Sequence, residues 1–136
     1  MNFIDTNILV YAYDKDEKTK NTIAKKILID CWEKKSGVIS TQVIQEFYVT
    51  ITAKISKKLS IDEARELIKD LLSWPIEQMT PHDIIDATTL QERYGYSFWD
   101  SLIIIIAQKS GAEVLYSEDL QNGQKFGDLI IKNPFV

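Results

Sequence analysis

The sequence predicts an α/β fold in which helices cover both faces of a parallel sheet. Short apolar runs alternate with segments of helical periodicity along the whole chain. This alternation is typical of β-α-β units, which build a three-layer α/β/α sandwich. No repeat, low-complexity tract or Pro/Gly-rich linker interrupts the 136 residues. We therefore expect a single domain over residues 1–136, with a sheet of about five strands.

Five short apolar segments are the predicted strands. The first opens the chain, and the second follows the break in helical periodicity at Gly37. The five segments are residues 1–4, 38–39, 75–79, 113–116 and 129–132.

Helical patterns fill the intervals between these strands. A short turn is predicted first, then a long helix whose apolar residues share one stripe, then a third helix with a broader apolar face. These three helices are predicted over residues 8–13, 17–35 and 41–55.

Three further helices begin with the spacing of a capping box, Ser/Thr-x-x-Asp/Glu. In this motif the first side chain accepts from the backbone of the fourth residue, whose own side chain returns the bond. The pairs are Ser60–Glu63, Thr80–Asp83 and Ser97–Asp100. The first of these helices is predicted to run to about residue 74.

Composition limits the classes of function. The net charge of −4 and the pI near 5.0 disfavour an extended, non-specific nucleic-acid binder, which normally carries a basic surface. They do not exclude an enzyme that meets one phosphate through metal ions. Cys31 and His82 are the only residues of their kinds, which argues against a disulfide, a zinc site and a Ser-His-Asp triad.

No segment has the pattern of a membrane anchor or a leader. The N-terminus lacks a basic lead, and Asp5 interrupts its apolar residues. The longest apolar run, Leu102–Ala107, is far shorter than the ~20 residues needed to cross a bilayer. We expect a soluble cytoplasmic protein with no membrane partner.

Two acids directly follow predicted strands. Asp5 ends the first strand in FIDTNIL, and Asp119 follows the fourth in YSEDLQNGQ. The carboxyl ends of parallel strands form the edge at which α/β sheets bind ligands. Either acid could instead be a helix cap or a turn residue, and the local sequence leaves both alternatives open.

Two acids on predicted helices are further candidates. Helical geometry puts Glu46 roughly 160–200° from the centre of the third helix's apolar stripe, which usually means a solvated face. However, apolar residues flank Glu46 on that side. Asp100 fits a capping box, but it also stands at the positive end of a helix whose apolar run indicates burial on most sides. If these four acids meet, they offer the oxygen ligands that Mg²⁺ prefers, and such ions activate water for phosphodiester cleavage.

A lysine cluster ends the third helix in AKISKKLS. Lys54, Lys57 and Lys58 are typical of solvated partners of a helix C-terminus. The alternative is a rim that contacts phosphates around an acidic centre.

The motifs FIDTNIL, QEF, FWDSLIIIIA, YSEDLQNGQ and the closing IIKNPF together resemble the PIN-domain family. The similarity spans nearly the whole chain, and within the family it is strongest to the VapC-type toxins of toxin–antitoxin pairs. The resemblance implies a sheet of strand order 3-2-1-4-5 and an endoribonuclease with an acidic Mg²⁺ or Mn²⁺ site. It also implies a homodimer and a cognate antitoxin.

The resemblance assigns roles residue by residue. It implies that Asp5, Glu46, Asp100 and Asp119 are catalytic, and that all but Glu46 bind metal. Asn7 and Ser117 match supporting positions, although the family more often has threonine where Ser117 stands. Glu118 is expected to be a surface residue.

Two alternatives belong to other functional classes. The first is a PIN-like module that binds a protein or RNA partner without catalysis, although the presence of all four acids argues against it. The second is a phosphatase or phosphoacceptor domain. Such phosphatases need a second aspartate where Asn7 stands, and phosphoacceptor domains need an early acid pair and a late lysine that are not evident.

Overall fold

Five parallel strands and one antiparallel strand form a single sheet in the computed structural model, which describes residues 1–136. The sheet order is β3-β2-β1-β4-β6-β5. The strands are β1 Asn2–Ile4, β2 Gly37–Ser40, β3 Ile76–Glu77, β4 Val114–Tyr116, β5 Lys125–Phe126 and β6 Leu129–Lys132. The α/β class with its mostly parallel sheet is thereby confirmed, and the fifth predicted strand is β6, which lies beside β4 as expected.

The sequence prediction missed β5. This strand of two residues pairs antiparallel with β6, and Phe126 stands opposite Leu129. The two-residue connection is Gly127-Asp128, and Gly127 has a φ of 60°, a conformation that glycine adopts at little cost. A Gly-Asp pair between apolar residues is a known hairpin pattern, but a strand this short shows no periodicity.

Six helices connect the strands. They are α1 Thr6–Tyr13, α2 Lys18–Lys34, α3 Thr41–Ala53, α4 Ile61–Leu71, α5 Pro81–Tyr94 and α6 Phe98–Lys109. Right-handed crossovers place the helices between β1 and β3 on one face of the sheet, and α5 and α6 on the other. Consistent with this, α1 packs on α2 and α3, whereas α5 packs on α6.

The predicted helices all form, with small shifts at their ends. Helix α1 begins two residues earlier than predicted because Asp5 caps it, and α4 ends at Leu71 rather than near residue 74. Helix α6 is buried along most of its length, which agrees with its continuous run of isoleucines. None of the six helices is both long and apolar enough to span a membrane.

The core fixes the point at which the site can form. Phe3 and Ile4 of β1 are fully buried, as are Ile39 of β2 and Leu115 of β4. Strand β1 lies between β2 and β4, and the chain order along the sheet reverses there. In open α/β sheets the ligand crevice lies outside the carboxyl ends of the strands at such a reversal.

Candidate active site: an acidic groove at the carboxyl edge of the sheet

A groove of about 700 Å³ opens beyond the carboxyl ends of β1 and β4. Its walls come from α1, the exposed side of α3 and the first turn of α6. All four candidate acids line it, namely Asp5, Glu46, Asp100 and Asp119. We refer to this cavity as the acidic groove.

Asp5 is the most buried of the four acids, with 6% of its surface exposed. One carboxylate oxygen caps α1 by accepting from the Thr6 backbone N–H at 2.7 Å, and the other accepts from the Ser117 hydroxyl at 2.7 Å. The cap and the candidate ligand are therefore the same residue.

The pKa of Asp5 reflects this burial. Desolvation raises the pKa from 3.8 to about 7, against the hydrogen bonds from Ser117 and Thr6, which lower it. The negative charges of Glu46 and Asp119 add to the increase. Asp5 therefore lacks a cation that would offset its burial.

Asp119 is held near the start of α1 by the Asn7 side chain and is also bonded to the Ser117 side chain. The Asn7 amide donates to the Asp119 carboxylate at 2.9 Å, and the Asp119 backbone N–H donates to the Ser117 hydroxyl at 3.2 Å. Ser117 thus contacts both Asp5 and the segment that carries Asp119. The bonds from Asn7 to Asp119 and from Ser117 to Asp5 join residues more than 100 positions apart in the chain.

Glu46 faces the acidic groove rather than open solvent. Its carboxylate accepts from the Thr6 hydroxyl at 2.9 Å, which links α3 to the start of α1. Val43 and Phe47, which share one face of α3, are both fully buried, whereas Glu46 is partly covered. The sequence signals of this placement were the flanking apolar residues and the QEF motif of the family resemblance.

Asp100 lies in the first turn of α6 and is half-buried. Its backbone N–H donates to the Ser97 hydroxyl at 3.1 Å, but its carboxylate does not return a bond to the Ser97 backbone, so the predicted capping box forms on one side only. Burial raises the pKa of Asp100, the Ser97 hydroxyl lowers it, and the charge of Asp119 raises it further.

Glu118 has partners that the sequence did not indicate. Its carboxylate accepts from the Tyr11 hydroxyl at 2.6 Å and forms an ion pair with Lys20. Although burial raises its pKa, the bonds from Lys20 and Tyr11 hold it below the usual range. This cluster ties the loop after β4 to α1 and α2, and Glu118 remains partly exposed and does not line the acidic groove.

The three candidate lysines do not act as one patch. Lys54 lines the acidic groove. Lys57 lies 3.7 Å from Asp16 in an ion pair, and Lys58 is exposed outside the groove. Only Lys54 is placed to meet a ligand bound at the acids.

The acidic groove fits a hard divalent cation by its chemistry. No three His, Cys, Asp or Glu side chains stand in an arrangement that holds a metal ion. The polar groups that line the groove are nevertheless mainly carboxylates, hydroxyls and amides, and carboxylate and amide oxygens are ligands that Mg²⁺ and Mn²⁺ prefer. Asp5, Asp100 and Asp119 would hold such an ion, and its charge would offset the burial of Asp5.

The mostly parallel sheet and the acids along its carboxyl edge define a class of α/β protein whose site offers oxygen ligands to a cation. The sequence profile of the PIN domain matches residues 3–123, and the chain belongs to the PIN domain family. The resemblance found in the motifs is confirmed by this match. Members of the family are nucleases that generally use a divalent metal ion. Comparison with curated protein sequences gives no match.

Two solved structures with the same fold are a toxin–antitoxin complex and the toxin VapC20. A toxin–antitoxin complex from Klebsiella pneumoniae superposes with a TM-score of 0.71 at 17% identity, covering 98% of each chain. VapC20 from Mycobacterium tuberculosis, a toxin that cleaves the sarcin-ricin loop, superposes with a TM-score of 0.68 at 19% identity. That alignment covers 88% of this chain and 90% of VapC20. At such identities the likeness establishes the fold.

Proposed function

We propose that residues 1–136 form one endoribonuclease domain that hydrolyses RNA phosphodiester bonds with Mg²⁺ or Mn²⁺. The observation that carries the proposal is the meeting of four carboxylates in one groove. Asp5, Glu46, Asp100 and Asp119 come from four separate segments of the chain and all line the acidic groove. A protein that needed these residues only as caps or surface charges would not require them to share a cavity.

Asp5, Asp100 and Asp119 are the proposed metal ligands. A bound divalent ion supplies an activated water and neutralises charge on the phosphate. Asp5 is held by Thr6 and Ser117, so its carboxylate has a fixed orientation before any ligand arrives. Asn7 orients Asp119 in the same way.

Glu46 is the proposed proton acceptor. Its carboxylate is oriented by the Thr6 hydroxyl and faces the groove without occupying the cap of any helix. A carboxylate at this position is suited to orient a water molecule and accept its proton as the water attacks phosphorus.

The partners follow from the family and from the solved structures. We propose a cytoplasmic toxin that is a homodimer and is held inactive by a cognate antitoxin. The fold shared with a toxin–antitoxin complex over nearly the whole chain supports this proposal. Because VapC20 cleaves the sarcin-ricin loop, structured RNA loops are the first substrates to test.

A silent binding module is the second candidate function. It is favoured by one observation, that the acids are not arranged to hold a metal ion as they stand. Under this hypothesis the acidic groove binds a partner without hydrolysing RNA.

The decisive experiment compares three proteins on a panel of structured RNAs. Wild type and Asp62→Asn, a control whose side chain is 90% exposed on α4, should cleave in Mn²⁺ and stop in EDTA. Asp5→Asn should be slower by about 100-fold or more, because metal catalysis contributes several kcal/mol.

Undiminished cleavage by Asp5→Asn would refute the proposal. Calorimetric titration with Mn²⁺ separates the second candidate. Absence of both Mn²⁺ binding and cleavage of any RNA in the panel would favour the silent module.

A further inference from the structure

One large aromatic side chain stands exposed at the acidic groove. Trp99 lies in the first turn of α6, directly before Asp100, and 61% of its surface is accessible. The other large apolar side chains of α6 are buried or half-buried, as with Leu102 and Ile106 at 1%. Exposure of an indole forfeits the largest apolar burial that any side chain offers. Trp99 is therefore the exception on its own helix.

The position of Trp99 is fixed by its neighbours. Its ring packs against Phe98 with centroids 5.1 Å apart at an angle of 74°. The Gln42 side-chain amide approaches its backbone carbonyl at 3.5 Å, which links the start of α6 to α3. These contacts hold the indole beside the groove without covering it.

The rest of the groove has the complementary chemistry of a nucleotide site. Val49 lines the same cavity and is 47% exposed, and Ile55 adds a second apolar surface. Lys54 contributes a positive charge, and the acids offer metal ligands. A nucleotide combines a flat apolar base with an anionic phosphate, which matches an indole placed next to a cation site.

We infer that Trp99 is a stacking platform for one unpaired base of the RNA, next to the phosphate bound at the acids. This inference rests on the proposed function and deepens it, because it assigns to Trp99 the binding of one base of the RNA substrate. A base within an A-form helix is stacked on both sides and is not accessible to an indole. Stacking does not discriminate strongly among bases, since each has a π-face.

Trp99 is thus a substrate-binding residue, distinct from the acids in its effect on kinetics. Loss of one stacked base weakens single-strand binding by roughly tenfold to a hundredfold. The loss should appear mainly in KM, with kcat less affected, because the stacking contact is made already in the bound substrate.

The chain provides a matched control. Trp32 on α2 is exposed to nearly the same extent, at 55%, and does not line the acidic groove. Any general effect of removing an exposed indole should therefore appear equally in Trp32→Ala and Trp99→Ala.

The binding experiment uses the full chain carrying Asp5→Asn to prevent cleavage, with Mg²⁺ present. Three labelled probes are compared by fluorescence anisotropy: a short unstructured oligoribonucleotide, the same strand annealed to its complement, and an abasic ribose-phosphate oligomer. Trp99→Ala should weaken binding of the first probe tenfold or more and leave the other two unchanged. Trp99→Phe should recover most of the affinity, and Trp32→Ala should match its parent.

Tryptophan fluorescence gives a second readout that does not depend on Trp99→Ala folding. The unstructured oligoribonucleotide should quench emission in the parent and in Trp32→Phe, and this quenching should be lost in Trp99→Phe. Circular dichroism and size-exclusion chromatography verify that the variants keep the fold and the oligomeric state.

The inference is overturned if Trp99→Ala binds the unstructured probe like its parent, or if it loses affinity equally for the abasic probe. It is also overturned if the replacement changes only the oligomeric state or only the affinity for a protein partner. Cleavage by wild type with an unchanged KM in Trp99→Ala removes the platform and leaves the proposed function intact. Trp99-dependent binding with no cleavage by wild type removes the proposed nuclease and leaves the platform.

Discussion

The helices α5 and α6 begin with the same sequence pattern and use its acid in opposite ways. At α5, the Asp83 carboxylate returns a bond to the Thr80 backbone N–H at 2.8 Å and lies 3.0 Å from the Lys109 ammonium. At α6, the Asp100 carboxylate makes no return bond to Ser97, and no cation lies within ion-pair distance of it. The Asp83 carboxylate therefore has both a hydrogen-bond donor and a cation as partners within the protein, whereas the Asp100 carboxylate has no cation.

The pKa of Asp83 is lowered and that of Asp100 is raised, because only Asp83 has a cationic partner. Although burial raises the pKa of Asp83, the hydrogen bonds from Thr80 and Lys109 hold it below its usual value. Burial raises the pKa of Asp100, and Asp119 adds to that increase. Asp100 is half-buried, and its one hydrogen-bonding partner is the uncharged Ser97 hydroxyl, so its charge costs stability unless a cation compensates it. The comparison therefore separates a structural carboxylate from one available to a ligand.

Replacement of Asp5 should change the pH dependence of stability most, because Asp5 is the most buried of the acids that lack a cationic partner. Its pKa of about 7 in the folded protein exceeds the value of 3.8 for an unburied aspartate. As pH rises from about 4 to about 7, the unfolded chain ionises at this residue before the folded protein does. The free energy of unfolding of metal-free wild type should therefore fall relative to Asp5→Asn by on the order of 4 kcal/mol over this window.

Urea titrations of both proteins in EDTA at several pH values test this prediction. Below pH 4 and above pH 7 the difference between the two proteins should be constant. Parallel stability profiles across the whole range would show that the burial of Asp5 is already compensated.

Asp83 should behave in the reverse direction. Asp83→Asn removes the charge that Lys109 pairs with, so the free energy of unfolding at pH 7 should fall by roughly 1–3 kcal/mol. Because the folded pKa is lowered, this contribution exists above pH 4 and is lost as pH falls through that region. Addition of Mn²⁺ should raise the melting temperature of Asp83→Asn as much as that of wild type. A smaller gain from Mn²⁺ in this variant would link Asp83 to the metal site and contradict its assignment as a structural carboxylate.

Asp100 gives the direct test between a cap and a ligand. A cap residue near the helix dipole contributes roughly 0.3–1 kcal/mol, so a pure cap predicts that Asp100→Asn melts lower. We expect metal-free Asp100→Asn to melt at or above wild type, because the charge is half-buried and repelled by Asp119. Mn²⁺ should then stabilise wild type more than the variant, since ligand binding to the folded state raises stability. Thermal melts with EDTA and with Mn²⁺ decide between the two; a lower melting temperature with an undiminished Mn²⁺ response identifies a cap.

Lys109 and Lys54 differ in the same way as Asp83 and Asp100, and replacement of Lys54 should have only a small effect on RNA affinity. Lys109 is paired with Asp83, whereas Lys54 lines the acidic groove and forms no ion pair. Lys54→Gln should reduce the slope of log affinity for RNA against log salt by about 1. Lys58→Gln, outside the groove, should leave the slope unchanged. Equal slopes for both variants and wild type would return Lys54 to the solvated end of its helix.

Local sequence determined much of the fold. Apolar runs and helical periodicity located all five parallel strands and all six helices, because burial of one face is a property of residues close together in the chain. The capping pairs at Ser60 and Thr80 form as predicted, since a cap joins positions only three apart. The hairpin of β5 was missed because two residues are too few to show a period.

The motifs proposed the site residues, and only the tertiary structure decided their surroundings. The sequence left Asp5 and Asp100 open between cap and ligand, and it gave no sign of the contacts of Thr6, Trp99 or Glu118. The bonds from Ser117 to Asp5 and from Asn7 to Asp119 each span 112 positions. Asp83 and Asp100 have the same local pattern, yet one meets Lys109 and the other meets Asp119. Local spacing cannot distinguish the two acids, because the charged neighbour that shifts the pKa of each one lies elsewhere in the chain.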